Sequence, residues 1–181
     1  IGAPTGTASC GMGFGCGGSW DAVNALDASF VKYGQMYGVD PAMLKAMAVI
    51  ESGGQSIPNQ NGFPNYGVMQ LTSVQFGASA PTEWDAIANK LGVDISSPDG
   101  QIAVAAYALG GNHIWKGTPE EIFLNAYYPV PGGMDVAGPD GDTQRQYLDS
   151  MYSLMGQINA ANPGATTQAP TTTAVDPTTG Q

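Results

Sequence analysis

One acidic side chain closes an otherwise apolar helical run. In Pro41-Ala42-Met43-Leu44-Lys45-Ala46-Met47-Ala48-Val49-Ile50-Glu51-Ser52-Gly53-Gly54, Glu51 is the sole carboxylate. A carboxyl group held against apolar neighbours keeps its proton to higher pH, which is what a general acid needs. Elsewhere Asp85, Asp94, Asp99, Glu120 and Glu121 fall at helix starts or polar turns, where capping and solvation account for them. Asp135, Asp140 and Asp142 lie in a Gly/Pro loop able to overhang a cleft, and they are the candidates for a second carboxylate. The only histidine, His113, reads as a turn or surface residue.

The elements that must position Glu51 are helical. Trp20, Val23, Leu26, Phe30 and Val31 recur at three- and four-residue spacing, which predicts a first amphipathic helix ending near Tyr37-Gly38. Asp40 caps a second helix with Pro41 at its first position, where a missing N–H costs nothing. That helix carries Leu44, Met47 and Ala48 on one face, and Gly53-Gly54 stop it just past Glu51. A long polar loop follows from Gln55 to Tyr66, then Gly67-Val68-Met69-Gln70-Leu71 as a short extended or turn-like piece. Further helices are predicted at about 82–91, 98–110, 119–127 and 143–160, the third opened by the capping box Thr118-Pro119-Glu120-Glu121. The expectation is a mainly α single domain.

Composition narrows the partners. The chain has 181 residues, 43% hydrophobic and 11% charged, and 15 acidic residues against 5 basic ones give a net charge of −10. No basic face is available for phosphate backbones, so nucleic acid is not expected. No apolar run approaches the roughly 20 residues that cross a bilayer, so no membrane span is expected either. Residues 1–19 are rich in Gly, Ala, Thr and Ser, and 162–181 form a Pro/Thr tract. Such segments bury too little apolar surface to offset chain ordering. They read as flexible linkers around a folded module at 20–161, a module belonging to a larger polypeptide or assembly. Cys10 and Cys16 bracket five residues, compatible with a small disulfide loop or with a local clip in a linker. No metal or cofactor is expected: zinc needs more ligands than these two cysteines and a distant histidine. Gly138-Pro139-Asp140-Gly141-Asp142-Thr143 lacks the ligand spacing and distal Glu of an EF-hand.

Three motifs occur in order: Glu51-Ser52-Gly53, Gly67-Val68-Met69-Gln70-Leu71 and Asn125-Ala126-Tyr127-Tyr128. Together they resemble the Glu-Ser, Gly-Leu-Met-Gln and Ala-Tyr-Asn motifs of the soluble lytic transglycosylase and goose-type lysozyme superfamily, over about residues 30–160. Pro98-Asp99-Gly100-Gln101-Ile102 and Ala105-Ala106-Tyr107 look like the intervening helix of that family. Val68 replaces the usual Leu, Tyr128 stands where Asn is usual, and Pro129-Val130-Pro131-Gly132 replaces a small, Gly-containing continuation. A Ser often found nine or ten positions after the acid is here Gln60 or Asn61.

The resemblance implies a lysozyme-like fold and a cell-wall-facing, extracellular or virion-associated enzyme acting on bacterial peptidoglycan. Glu51 would be the catalytic acid and then base, with Ser52, Gln60, Asn61, Met69, Gln70, Tyr127 and Tyr128 contacting substrate. With a single carboxylate, the N-acetyl oxygen of the substrate stabilises the anomeric carbon and the product closes as a 1,6-anhydro ring. A goose-type lysozyme with a further Asp is the hydrolytic alternative, and a glycan-binding module that has lost activity is the non-enzymatic one. Met69 also reads as core packing, and Ser52 as a residue that satisfies the helix end. Tyr66, Tyr107 and Trp115 are candidates for stacking on sugar faces, although core packing suits each of them as well.

Overall fold

The computed structural model describes residues 1–8, 19–55, 65–72, 80–110, 118–122, 124, 130–138 and 141–161. Within them the chain is mainly α: α1 (Trp20–Asn24), α2 (Asp27–Tyr37), α3 (Pro41–Ser52), α4 (Ala80–Leu91), α5 (Pro98–Leu109), α6 (Pro119–Ile122) and α7 (Gln144–Ala160). A two-residue hairpin, β1 (Asn65–Tyr66) and β2 (Leu71–Thr72), encloses a 3-10 turn at Gly67–Met69.

α3 is the axis of the domain, packed against α2, α7 and the 3-10 turn. Its apolar residues allow this: Met43, Leu44, Ala46, Met47, Ala48 and Val49 are all at most 1% exposed. Each fully buried Leu or Met contributes about 2 kcal/mol through removal from water. The ends follow the sequence signals. Asp40 Oδ1 accepts from Ala42 N at 2.8 Å, and Gly53 closes the helix in the left-handed region at φ 62°. At Thr118 the reciprocal capping bonds with Glu121 form, and Thr143 with Gln146 makes a second capping box at the start of α7.

Two expectations change. The first helix is broken in two, because the chain turns at Ala25 and Leu26 so that Asp27 meets Lys45 of α3 at 2.6 Å. Beside the break, Gly54 at φ 76° lies so close to Val23 that a Cβ there would sit 2.8 Å from the Val23 nitrogen. The first eight residues, read from composition as linker, are docked. The Lys45 ammonium donates to Gly2 O at 2.8 Å, Asn24 Nδ2 donates to Pro4 O at 2.8 Å, and Trp20 N donates to Gly6 O at 3.1 Å. Ala8 joins the core at 2% exposure. A fully buried ammonium needs acceptors, and part of its supply comes from this N-terminal segment. Residues 9–18, with Cys10 and Cys16, and the tract from 162 onward lie outside the described residues, as do 56–64 of the polar loop. No described helix is long and apolar enough to cross a membrane.

Candidate active site

Glu51 lies in the last turn of α3, half-buried, with Gly53 and Gly54 turning the chain away immediately beyond it. From the opposite side α7 brings Tyr147, whose hydroxyl donates to Glu51 Oε1 at 2.5 Å. Tyr147 itself is 2% exposed, so its ring is fixed by packing and its hydroxyl is aimed. A charge-assisted O–H···O⁻ bond of this length belongs to the strong class. It fixes one carboxyl oxygen and with it the orientation of the Glu51 side chain.

Ser52 performs a different task from the one its neighbour suggests. Its hydroxyl donates to Val68 O at 2.8 Å, lies 3.2 Å from Ala48 O, and accepts from Gly54 N at 3.1 Å. It is 5% exposed. Donor and acceptor capacity are both engaged by backbone, so Ser52 locks the end of α3 to the 3-10 turn and is not presented to a ligand. The far side of that turn is held by Gln101 of α5, 2% exposed, which accepts from Val68 N at 2.7 Å and donates to Ile95 O at 3.2 Å. One residue, Val68, is therefore clamped through its N–H and its C=O from two helices.

That clamp positions Gln70. Gln70 has φ 46°, the only non-glycine residue in the left-handed region among the described residues. Such a conformation costs of order 1–3 kcal/mol and persists only where the surroundings impose it. Here Gln70 N and Nε2 both donate to Gly67 O, at 3.1 and 2.6 Å. The side chain is partly exposed, while Met69 beside it is 0% exposed. Met69 is accordingly core packing and Gln70 is the member of the pair offered to the surface.

Gln60, Asn61, Tyr127 and Tyr128 lie outside the described residues, together with His113, Trp115 and Asp140. Of the remaining second-carboxylate candidates, Asp135 is exposed and bound by Arg145 through both oxygens, and that guanidinium holds its carboxyl below the usual range. Asp142 is 8% exposed and immediately precedes the cap of α7. Tyr107 is engaged by Lys90, whose ammonium bonds its hydroxyl at 2.8 Å. Among the described residues no group of three or more His, Cys, Asp or Glu could hold a metal ion.

Two residues of this arrangement escaped the sequence reading, Tyr147 and Gln101. Tyr147 recurs with Leu148, Met151, Leu154 and Ile158 on the buried face of α7, so its helical spacing signals core and nothing more. Gln101 is polar inside an apolar helix, a signal that a buried amide must find partners, yet the sequence does not say which. No family model matches the chain, and no curated protein matches it.

Proposed function

We propose that this protein is a lysozyme-like lytic transglycosylase that cleaves the β-1,4 bond between N-acetylmuramic acid and N-acetylglucosamine in bacterial peptidoglycan. The observation that carries the reading is the Tyr147 hydroxyl on Glu51 Oε1, beside a turn in which Gln70 is held in a strained conformation. A solvated residue closing a helix needs no buried tyrosine aimed at it, whereas a proton donor needs a fixed orientation.

In the proposed reaction Glu51 gives its proton to the bridging oxygen as the glycosidic bond breaks. The substrate's own N-acetyl oxygen closes on C1 and holds the positive charge. Glu51, now a carboxylate, takes the proton from the C6 hydroxyl, and O6 forms the bond to C1 as the acetamido oxygen leaves it. The proton on Glu51 is regenerated, no water is consumed, and the product is a 1,6-anhydro sugar. Gln70 and Tyr127 would hydrogen-bond the glycan, as the motif resemblance implies. A cell-wall-facing setting follows from the substrate.

The test is digestion of purified peptidoglycan with the wild-type chain and with Glu51→Gln, followed by mass spectrometry. Anhydro-ended fragments from the wild type and none from the variant are expected. Reducing ends from the wild type would replace the anhydro mechanism with hydrolysis, and undiminished release by Glu51→Gln would remove Glu51 from the chemistry.

A further inference from the structure

Residues 1–8 belong to none of the helices and neither strand of the hairpin, yet their carbonyls are met at regular intervals. Gly2 O accepts from Lys45 Nζ of α3 at 2.8 Å, Pro4 O from Asn24 Nδ2 of α1 at 2.8 Å, and Gly6 O from Trp20 N at the start of α1 at 3.1 Å. An interval of two is the repeat of an extended chain, in which alternate residues face the same way. Past the third carbonyl, Thr7 pairs with Ser19 as an antiparallel bridge, and Ala8 enters the core at 2% exposure.

This face reads main chain and very little side chain. Ala3, Thr5 and Thr7 are exposed, while the buried positions hold the small residues Gly2 and Ala8. Pro4 contributes through its carbonyl, so its missing N–H costs nothing. Gly6 has φ 85°, and a Cβ there would meet nothing within 4 Å. Glycine at that position therefore answers to backbone shape alone, because an L side chain is strained at such a φ. Main-chain hydrogen bonds with one or two small buried residues are the means by which proteins hold an extended peptide. The consequences reach α3. A Cβ on Gly54 would lie 2.8 Å from Val23 N and 2.9 Å from Val23 Cα, so α1 is the support against which the turn beyond Glu51 closes.

We propose that the joint face of α1 and α3 is a receptor for a peptide segment, filled by the chain's own residues 1–8 as a detachable strap, and that the strap, by seating α1, steadies the Gly53–Gly54 turn beyond Glu51. The occupant it fits is a chain of small residues that offers three alternate carbonyls, a positive φ at the third and a methyl group two residues later. Nothing in the proposal depends on which substrate the domain takes.

The experiment is amide hydrogen exchange on the full chain carrying Gly6→Ala, a change that touches no neighbour and strains only the docked backbone. Exchange at Trp20 and Gly54 is expected to quicken about tenfold, with α5 amides such as Ala105 still protected. The free peptide of residues 1–8, added at about 1 mM, should restore protection at both amides. A peptide with D-alanine at position 6, which favours a positive φ, should do so at lower concentration. Ala8→Gly removes one buried methyl from the strap and should give a smaller rise at the same two amides, which keeps the test readable if Gly6→Ala loosens the whole domain. Quickening at Trp20 without Gly54 would break the link from strap to turn. Equal quickening along α5 in both variants would make residues 1–8 an inseparable part of the core, and failure of both peptides to restore protection would remove the receptor. Any of these three results overturns the proposal.

Discussion

α3 carries two charged side chains six residues apart, and the helix treats them in opposite ways. Lys45 is 0% exposed, and its ammonium is bonded to Asp27 and to Gly2 O. Burial pushes its pKa down, against the raising effect of the Asp27 hydrogen bond and charge. Glu51 is half-buried, with the neutral hydroxyl of a buried tyrosine on one oxygen. A charge enclosed by a counter-charge and a carbonyl organises the fold around it and is closed to a reactant. A carboxylate oriented by a hydroxyl near the protein's edge suits the acid and base role proposed for it. The same apolar helix thus supplies a structural ion pair in its middle and, in the proposed reaction, the proton donor at its end.

The largest effects should separate the two. Glu51→Gln preserves shape and the Tyr147 contact, so glycan cleavage falls by about 10²- to 10⁴-fold, the range for a lost general acid, while stability changes by no more than about 1 kcal/mol. Lys45→Met should do the reverse. It strands the partly exposed Asp27 carboxylate, and the loss of one partner of a buried pair costs about 3 kcal/mol. Urea unfolding alongside activity, scaled to folded protein, reads both. If Lys45→Met lost activity without losing stability, or Glu51→Gln lost stability in proportion to activity, the division of labour along α3 would be wrong.

The apolar periodicity, Asp40-Pro41, Gly53-Gly54 and the Thr118 box made the helices and their ends legible, since each depends on residues within one turn of the position it marks. The break at Ala25 and the docking of residues 1–8 were not legible. Both answer to Lys45, and a buried ammonium's partners at Asp27 and Gly2 lie 18 and 43 residues away in sequence. Glu51 and Gln70 could be named from local pattern. Tyr147, 96 residues from Glu51, sits on a helix face whose spacing reads the same whether a ring packs or aims its hydroxyl. Ser52 takes the helix-end role, one of the two readings its motif allowed, with its hydroxyl turned to Val68 O and the end of α3.

Intermediate effects sharpen the picture around Glu51. Tyr147→Phe keeps the packed ring and removes the donor, so kcat should fall about tenfold with KM nearly unchanged, as for a residue that orients the acid and does not bind the glycan. A rise in KM at constant kcat would make Tyr147 a substrate contact. Ser52→Ala removes the link between α3 and Val68 O and should cost about 1–2 kcal/mol, since buried backbone groups lose a partner. Its activity per folded molecule should stay within a few-fold of wild type, whereas a loss comparable to that of Glu51→Gln would return Ser52 to the substrate-contacting set.

A third kind of charge tests how far this logic extends. Asp99, at the start of α5, is neither enclosed like Lys45 nor proposed as a proton donor like Glu51. Desolvation alone would raise its pKa, but the Ser29 and Tyr33 hydroxyls and the nearby Lys32 charge together hold it below the ordinary aspartate range. For a carboxylate whose folded value is depressed, the stabilisation is fully present above the unfolded value and disappears as pH falls through the folded one. Asp99→Asn should therefore be less stable than wild type at neutral pH, with the gap narrowing as pH falls below about 3.9. With Asp99 partly exposed and screened, the difference should stay under about 1 kcal/mol. Urea midpoints at pH 7 and pH 3 measure it. A gap undiminished at pH 3 would mean that the Asp99 hydroxyl bonds act through packing and not through charge.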